Sequence, residues 1–360
     1  MVRPTYAEID LGAIAHNVRA FQDLIAPSEV CAVVKADGYG HGDAPIASTA
    51  IDAGATRLGV ALVEEGVRLR EAGVEAPILL LSEPSPDAVN DIVKWDLTPT
   101  AYSVRFIEAL ALTGAKFDVH LKIDTGMHRV GAAPRLVHDL MESVSESPNL
   151  TVGALWTHFA VAEGDRGFTG HQIEVFDETV SALGEIPMVH LANTAGAIHF
   201  PEARRDMCRI GLGIYGLHPD IDSQDVIDLQ PAMRLVSHVS HIQRLEAGAR
   251  PSYGRIKELV TNSKVATVPV GYADGYARGL SQYGCALIGG HRFPLAGTVT
   301  MDQVVIDVGD ADIGIGDEVV LLGSQRDQII SANEWAEELG TISYEVVCSI
   351  GPRVPRRYLK

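Results

Sequence analysis

Val30-Cys31-Ala32-Val33-Val34-Lys35-Ala36-Asp37-Gly38-Tyr39-Gly40-His41-Gly42 is an apolar run that ends in a lysine and then breaks into a glycine-rich loop. β-Branched and small apolar residues closed by glycine predict a buried strand over 30–35, with Lys35 at its C-terminal end. An amine there must be paired, neutralised or carried out to water. Desolvation lowers a lysine's pKa, and a neutral amine can attack a carbonyl to form a Schiff base. A lysine that simply reaches solvent from the strand end is the plainer alternative.

Working outward, the same kind of apolar segment recurs at 57–62, 77–82, 97–101, 117–124, 152–158, 187–192 and 207–210. Helical patterns at about 12–25, 41–53, 63–73, 85–94, 103–113, 134–146 and 171–183 lie between them, several stopped by glycine at Gly54, Gly73, Gly114 and Gly184. Alternation of this kind implies a parallel sheet. Eight repeats in about 220 residues fit a (β/α)8 TIM-type barrel better than an open doubly wound sheet. After Pro231 the texture changes: 233–245, 264–270, 285–289, 303–308 and 317–322 read as strands, and Ser331-Ala-Asn-Glu334 reads as a capping box opening a helix over 332–339. The fold class is therefore α/β, with a barrel over 1–230 followed by a mostly β C-terminal domain over 231–360, residues 1–9 being candidates to pair with the latter.

At 360 residues, 46% of them apolar, the chain is long enough for two cores. Lysine plus arginine number 29 against 47 aspartates and glutamates, a formal charge of −18 that argues against nucleic acid or an anionic membrane as partner. No secretory leader and no stretch of about 20 apolar residues is visible, so a cytoplasmic protein is expected. Cys31, Cys208, Cys285 and Cys348 are widely spaced and form no C-x-x-C pair, which predicts buried free thiols and no zinc or disulfide framework.

Barrel enzymes place their chemistry at the C-terminal ends of the strands. On this reading Lys35 ends the first strand and Lys122 leads from the fifth toward Arg129. His158 ends the sixth, Asn193-Thr194 follow the seventh, and Arg209 lies near the end of the eighth. Each alone has an ordinary structural explanation; together they favour a site. Gly211-Leu-Gly-Ile-Tyr-Gly216 matches the dinucleotide pattern G-x-G-x-x-G, but His218-Pro219-Asp220 follows where a helix is required. Loops after barrel strands seven and eight commonly bind phosphate through backbone N–H groups, a use that suits Asn193, Thr194, Gly211 and Leu212. A Schiff-base lysine, a phosphate cradle and an arginine at the ring end suggest pyridoxal 5′-phosphate. An arginine facing the pyridine nitrogen keeps that nitrogen neutral, which suits an enzyme that only moves a proton.

These residues, in this order and over essentially the full length, resemble the alanine racemase family, and Ser252-Tyr253-Gly254, Gly271-Tyr272-Ala-Asp-Gly275, Met301-Asp302-Gln303 and Ile342-Ser-Tyr344-Glu extend the likeness into the second domain. The resemblance implies a cytoplasmic homodimer with sites shared across the interface, interconverting L- and D-alanine to supply D-alanine for cell-wall synthesis. It makes Lys35 one acid/base and Tyr253 the opposite one, given by the second subunit. It sets Arg209 against the pyridine nitrogen, and Tyr39, Thr194, Gly211, Leu212 and Tyr344 on the phosphate. Asn193 and His158 adjoin the cofactor, the latter between Arg209 and Tyr253. Arg129 and Met301 bind the substrate carboxylate, Lys122 is a candidate for carbamylation, and Tyr272 and Arg278 line the entrance.

A phenol of reference pKa about 10 is a weak base at neutral pH, so cationic help through Arg209 and His158 belongs to this assignment. The chain departs from the family pattern at His128, where glycine is frequent, at Thr298, where arginine is frequent, and at Thr194, where serine is more usual. A racemase of broader specificity remains the nearest alternative. A barrel-fold decarboxylase is more distant, because it would oppose the pyridine nitrogen with an acid.

Overall fold

A computed structural model of the chain describes residues 3–360. It resolves into two compact units, one of Ala13–Gly38 with Gly42–Gln230, the other of the described residues through Gly12, Tyr39–His41 and Pro231–Lys360.

The first unit is the (β/α)8 barrel. Its strands are Glu29–Val33, Arg57–Val60, Ile78–Leu80, Thr100–Ala101, Phe117–Lys122, Leu150–Trp156, Val189–His190 and Met207–Ile210. They form two parallel runs of four, with Met207–Ile210 beside Glu29–Val33, as a closing barrel requires. The runs are joined by Leu80 N–H to Thr98 O (3.0 Å) and Thr98 N–H to Ile78 O (2.8 Å) on one side. On the other, Asp206 N–H donates to Val189 O (3.2 Å) and Arg209 N–H to Ala192 O (2.9 Å). Closure removes both sheet edges, so each strand keeps only side chains to offer at its ends.

The helices follow the apolar spacing. Leu11–Ile25 buries Ala13, Ile14, Val18, Phe21 and Ile25 on one stripe. The helix expected over 171–183 instead spans Arg166–Ser181, because the Asp165 carboxylate accepts the Phe168 N–H at 2.9 Å and starts it earlier. The pattern at 85–94 divides into a 3-10 turn, Pro86–Ala88, and a short helix, Val89–Lys94.

In the second unit a seven-stranded sheet runs His291–Pro294, Cys285–Ile288, Glu318–Gln325, Met233–His238, Tyr6–Asp10 and Arg356–Leu359, with Gln328–Ile330 as a hairpin on Glu318–Gln325. A three-stranded sheet orders His241–Leu245, Ser263–Val268 and Val304–Gly309. The strand expected over 233–245 is thus two strands that enter different sheets, broken at Val239-Ser240. Ser331 caps Ala332–Leu339 by accepting the Glu334 N–H at 3.0 Å, but the expected reciprocal half of the box is not formed; the Glu334 carboxylate pairs with Arg292. Among the described residues no helix is long and apolar enough to cross a membrane.

Asn17, fully buried, ties the first helix to the end of the barrel. Its amide donates to Ile214 O (3.1 Å) and Gln230 O (2.9 Å) and accepts from Gln230 N–H (2.8 Å). Asn17→Ala leaves the buried Ile214 carbonyl and two backbone groups of Gln230 without their partner and should lower stability by about 1–3 kcal/mol, read as a shifted urea midpoint. An unchanged midpoint would show that these bonds contribute nothing.

Candidate active site

Lys35 stands just past the first barrel strand, half-buried, at the head of a tight turn. The next residues are all left-handed, with φ of 53° at Ala36, 53° at Asp37, 59° at Gly38 and 51° at Tyr39. Three of these are not glycine, and each costs roughly 1–2 kcal/mol relative to the right-handed form. The buried Glu65 carboxylate holds the turn, accepting the N–H of Ala36 at 2.7 Å, Ala61 at 2.8 Å and Leu62 at 3.1 Å. Tyr215 Oη donates to Val33 O at 3.0 Å and fixes the strand just before the lysine.

Lys122 ends its strand inside the barrel. Nζ donates to Leu81 O at 3.1 Å and lies 4.1 Å from the Trp156 ring centre. Burial, followed by the charges of Arg209, Arg129 and Lys35, lowers its pKa to about 7. Arg129 is exposed and meets no hydrogen-bond acceptor among the described residues. It follows His128, whose φ of 53° explains why glycine suits this place. Asp124 supports the loop by accepting N–H bonds from Gly126 and His128, both at 3.0 Å, and the His128 imidazole at 3.1 Å. Burial pushes the Asp124 pKa up, but these donors prevail and hold it below the usual carboxylate value.

Arg209 is 3% exposed and has no carboxylate partner among the described residues. Nη1 meets His190 Nδ1 at 2.8 Å and His190 O at 3.0 Å. Nη2 meets Thr157 O at 2.8 Å, Leu191 O at 2.9 Å and His158 Nδ1 at 3.2 Å. Its carbon lies 4.5 Å from the Trp156 ring centre, and Trp156 stacks on His190. Burial lowers the guanidinium pKa to about 10, so it stays charged at neutral pH. The same burial, reinforced by Arg209, holds His158 and His190 well below 6.5, so both are neutral. His190 Nε2 continues to His120 Nδ1 at 3.1 Å, and burial takes His120 down to about 3.

Beside this group, the Thr194 hydroxyl accepts the Gly211 N–H at 3.1 Å, and the Asn193 amide oxygen caps the helix Thr194–His199 through Gly196 N–H at 2.9 Å. Gly211 opens a 3-10 turn over Leu212–Tyr215, not the α-helix that a dinucleotide loop needs. Gly213 is required by packing, since a Cβ there would press into the Phe21 ring.

In the second unit, Tyr253, Tyr272, Arg278 and Met301 line one pocket of about 580 Å³ with Thr298, Val299, Thr300 and Asp302. Tyr253 is 74% exposed. Tyr39 and Tyr344 form a separate tilted ring pair, 6.2 Å between centres. His190, His120, Trp156 and Glu65 were not singled out from sequence. A histidine inside a barrel strand was the available signal for His190 and His120; nothing local pointed to Glu65. Among the described residues the four cysteines form no disulfide; Cys31, Cys208 and Cys285 are buried as expected, whereas Cys348, against that expectation, is exposed. Among the described residues no cluster of His, Cys, Asp and Glu is placed to hold a metal ion.

Residues 9–219 match the family model described as alanine racemase, N-terminal domain, and 232–358 the one described as alanine racemase, C-terminal domain. The alanine racemase of Halothermothrix orenii is 41% identical over 99% of this chain and 97% of its own. That of Symbiobacterium thermophilum is 42% identical over 99% and 97%. Among solved structures, alanine racemase of Clostridium difficile 630 superposes with a TM-score of 0.94 at 34% identity, covering 100% of this chain and 96% of that one. The Bacillus anthracis alanine racemase with bound L-Ala-P gives 0.93 at 35% identity, with 100% and 96% covered. A histidine racemase from Leuconostoc mesenteroides gives 0.92 at 28%, with 100% and 99% covered.

The neutral histidines make a prediction about acid. Below pH 6.5 the unfolded chain takes up protons at residues 120, 158 and 190 that the folded chain refuses, so stability falls as pH falls, by up to about 1.4 kcal/mol per pH unit for each. Lys122 acts in the same sense between 10.5 and about 7. The urea midpoint should drop steeply from pH 6.5 to 5, and His120→Gln should flatten that slope. A midpoint that is level over this range would mean the folded histidines carry charge.

Proposed function

The chain belongs to the alanine racemase family and interconverts L- and D-alanine, and we propose that it does so with pyridoxal 5′-phosphate by passing the Cα proton between Lys35 on one face and Tyr253 on the other. The observation that carries the reading is the barrel rim itself. Lys35, Lys122, Arg129 and Arg209 gather there, and Arg209 is satisfied by carbonyls and neutral imidazoles alone. Such a donor set fits an anionic cofactor that carries a carbonyl.

Bound pyridoxal 5′-phosphate supplies a carbonyl for the substrate amine and a ring that withdraws electrons from Cα. Lys35 would hold the carbonyl carbon and, once displaced, use its amine to take or return the Cα proton. Arg209 would face the ring nitrogen; as a fixed cation it keeps that nitrogen unprotonated, limiting electron withdrawal to what proton transfer needs. Thr194, Gly211 and Leu212, with Tyr39 and Tyr344, are our assignment for the phosphate, with Asn193 bracing Thr194. Arg129, exposed and unpaired, and the Met301 amide are assigned to the substrate carboxylate. Tyr272 and Arg278 are assigned to the entrance.

Lys122 fits carbamylation. With its pKa near 7 much of the amine is neutral at physiological pH and can add to carbon dioxide, releasing a proton and leaving an anion among Arg129, Arg209 and Lys35. That charge would orient Arg129.

A homodimer accounts for the exposure of Tyr253 and Met301, groups of the second unit that would complete the site of another copy. D-alanine is a component of bacterial cell walls, and we place its supply in the cytoplasm. The histidine racemase likeness favours a second reading, a racemase accepting larger side chains. Assaying D/L exchange across small and large amino acids, with and without added cofactor, separates the two.

Purified protein should be yellow, and Lys35→Ala should lose the borohydride-fixed cofactor; a retained linkage would remove Lys35 from its role. In deuterated water Tyr253→Phe should slow Cα exchange of one enantiomer by roughly 100-fold or more while leaving the other. Equal losses for both enantiomers would count against opposite-face bases. Heterodimers of Lys35→Ala and Tyr253→Phe should recover activity, and verified heterodimers that remain inactive would exclude a shared site.

A further inference from the structure

Four groups of the second unit's pocket are indexed from one short segment, 297–301. Thr300 O accepts the Tyr272 N–H at 3.0 Å, and Met301 belongs to the segment itself. Val299 N–H donates to Ser281 Oγ at 3.0 Å, and that hydroxyl donates to Arg278 O at 2.6 Å. The link to Tyr253 is reciprocal: Thr298 Oγ1 donates to Tyr253 O at 2.6 Å, and Ser252 Oγ donates to Thr298 O at 2.7 Å. Thr298 is 4% exposed although Tyr253 is 74% exposed, so a buried hydroxyl anchors an outward-facing phenol.

The backbone between them is held against its preference. Ser252 has φ 68° and ψ −177°, a region essentially reserved for glycine. Gly254 at φ 69° and Arg255 at φ 51° follow, so both sides of Tyr253 are left-handed. Gly297 permits the approach, because a Cβ there would press into Pro251 O and crowd Ser252 Cβ. Such a conformation persists only where its surroundings over-determine it, and the two crossed hydrogen bonds are what does so.

We propose that Thr298, at the place where the family pattern frequently has arginine, is the positioning residue for Tyr253: with Ser252 it locks the loop that aims the phenol for proton transfer. The proposal rests on Tyr253 being one of the two bases. Thr298 acts on the reaction through the loop that carries Tyr253. A threonine suits the task because its hydroxyl is short and its branched Cβ admits few rotamers.

The test uses the holoenzyme. Thr298→Val should slow Cα deuterium exchange by roughly 10- to 100-fold for the enantiomer that Tyr253→Phe blocks, leave the other within a small factor, and be rescued by Thr298→Ser. A readout independent of turnover is amide exchange in a peptide covering 252–256, faster in Thr298→Val and restored in Thr298→Ser. Ser252→Gly keeps the backbone angles available and removes one hydroxyl, so it should stay folded and shift both measurements in the same direction. Equal loss for both enantiomers in Thr298→Val, or wild-type amide exchange, overturns the positioning role. Symmetric loss in Tyr253→Phe itself overturns the two-base reading instead, and would be seen before any Thr298 variant is made.

Discussion

A guanidinium buried without a carboxylate must be satisfied by neutral acceptors, and at Arg209 that requirement organises the barrel interior. Three carbonyls, from Thr157, His190 and Leu191, and two imidazole nitrogens converge on its Nη atoms. Those carbonyls belong to the ends of neighbouring strands, so their geometry depends on barrel closure. The imidazoles must stay uncharged to accept, and burial beside the cation ensures it. A carboxylate here would have been the cheaper partner for Arg209. It would also have cancelled the positive field, the property that makes the rim attractive to anions in a chain of net charge −18.

Much of the barrel was legible in the sequence because its strands are short apolar runs and its helices stop at glycines. The polar groups at the rim stood out for the same reason: Lys35, Lys122, His158 and Arg209 interrupt runs that otherwise have no place for a charge. The starting point of Arg166–Ser181 was hidden because its cap, Asp165, sits in a polar loop like any other. His291–Pro294, Gln328–Ile330 and Arg356–Leu359 escaped notice because short, largely exposed strands carry little apolar alternation. The split of 233–245 was hidden because no glycine or proline marks it.

The site was less legible than the fold. Lys35 announces itself at a strand end, but Tyr253 lies in a Pro-Ser-Tyr-Gly loop where an exposed tyrosine is unremarkable, and only its likeness to a family pattern singled it out. His190 and His120 looked like ordinary strand residues until the barrel closed around them. Thr298 was noticed as a missing arginine. Its hydroxyl bond to Tyr253 O depends on Gly297 and on the unusual angles of Ser252, neither of which a residue name reveals.

The segment 297–301 has a consequence for how such a pocket can change over evolutionary time. On the barrel rim Lys35, Lys122, His158 and Arg209 lie on or just after four different strands, so their backbone supports are separate. In the second unit the tyrosines, the arginine and the methionine share a single support. Substitutions there move several walls of the cavity together. Selection can retune the barrel piecemeal, but it must rewrite this pocket as one word.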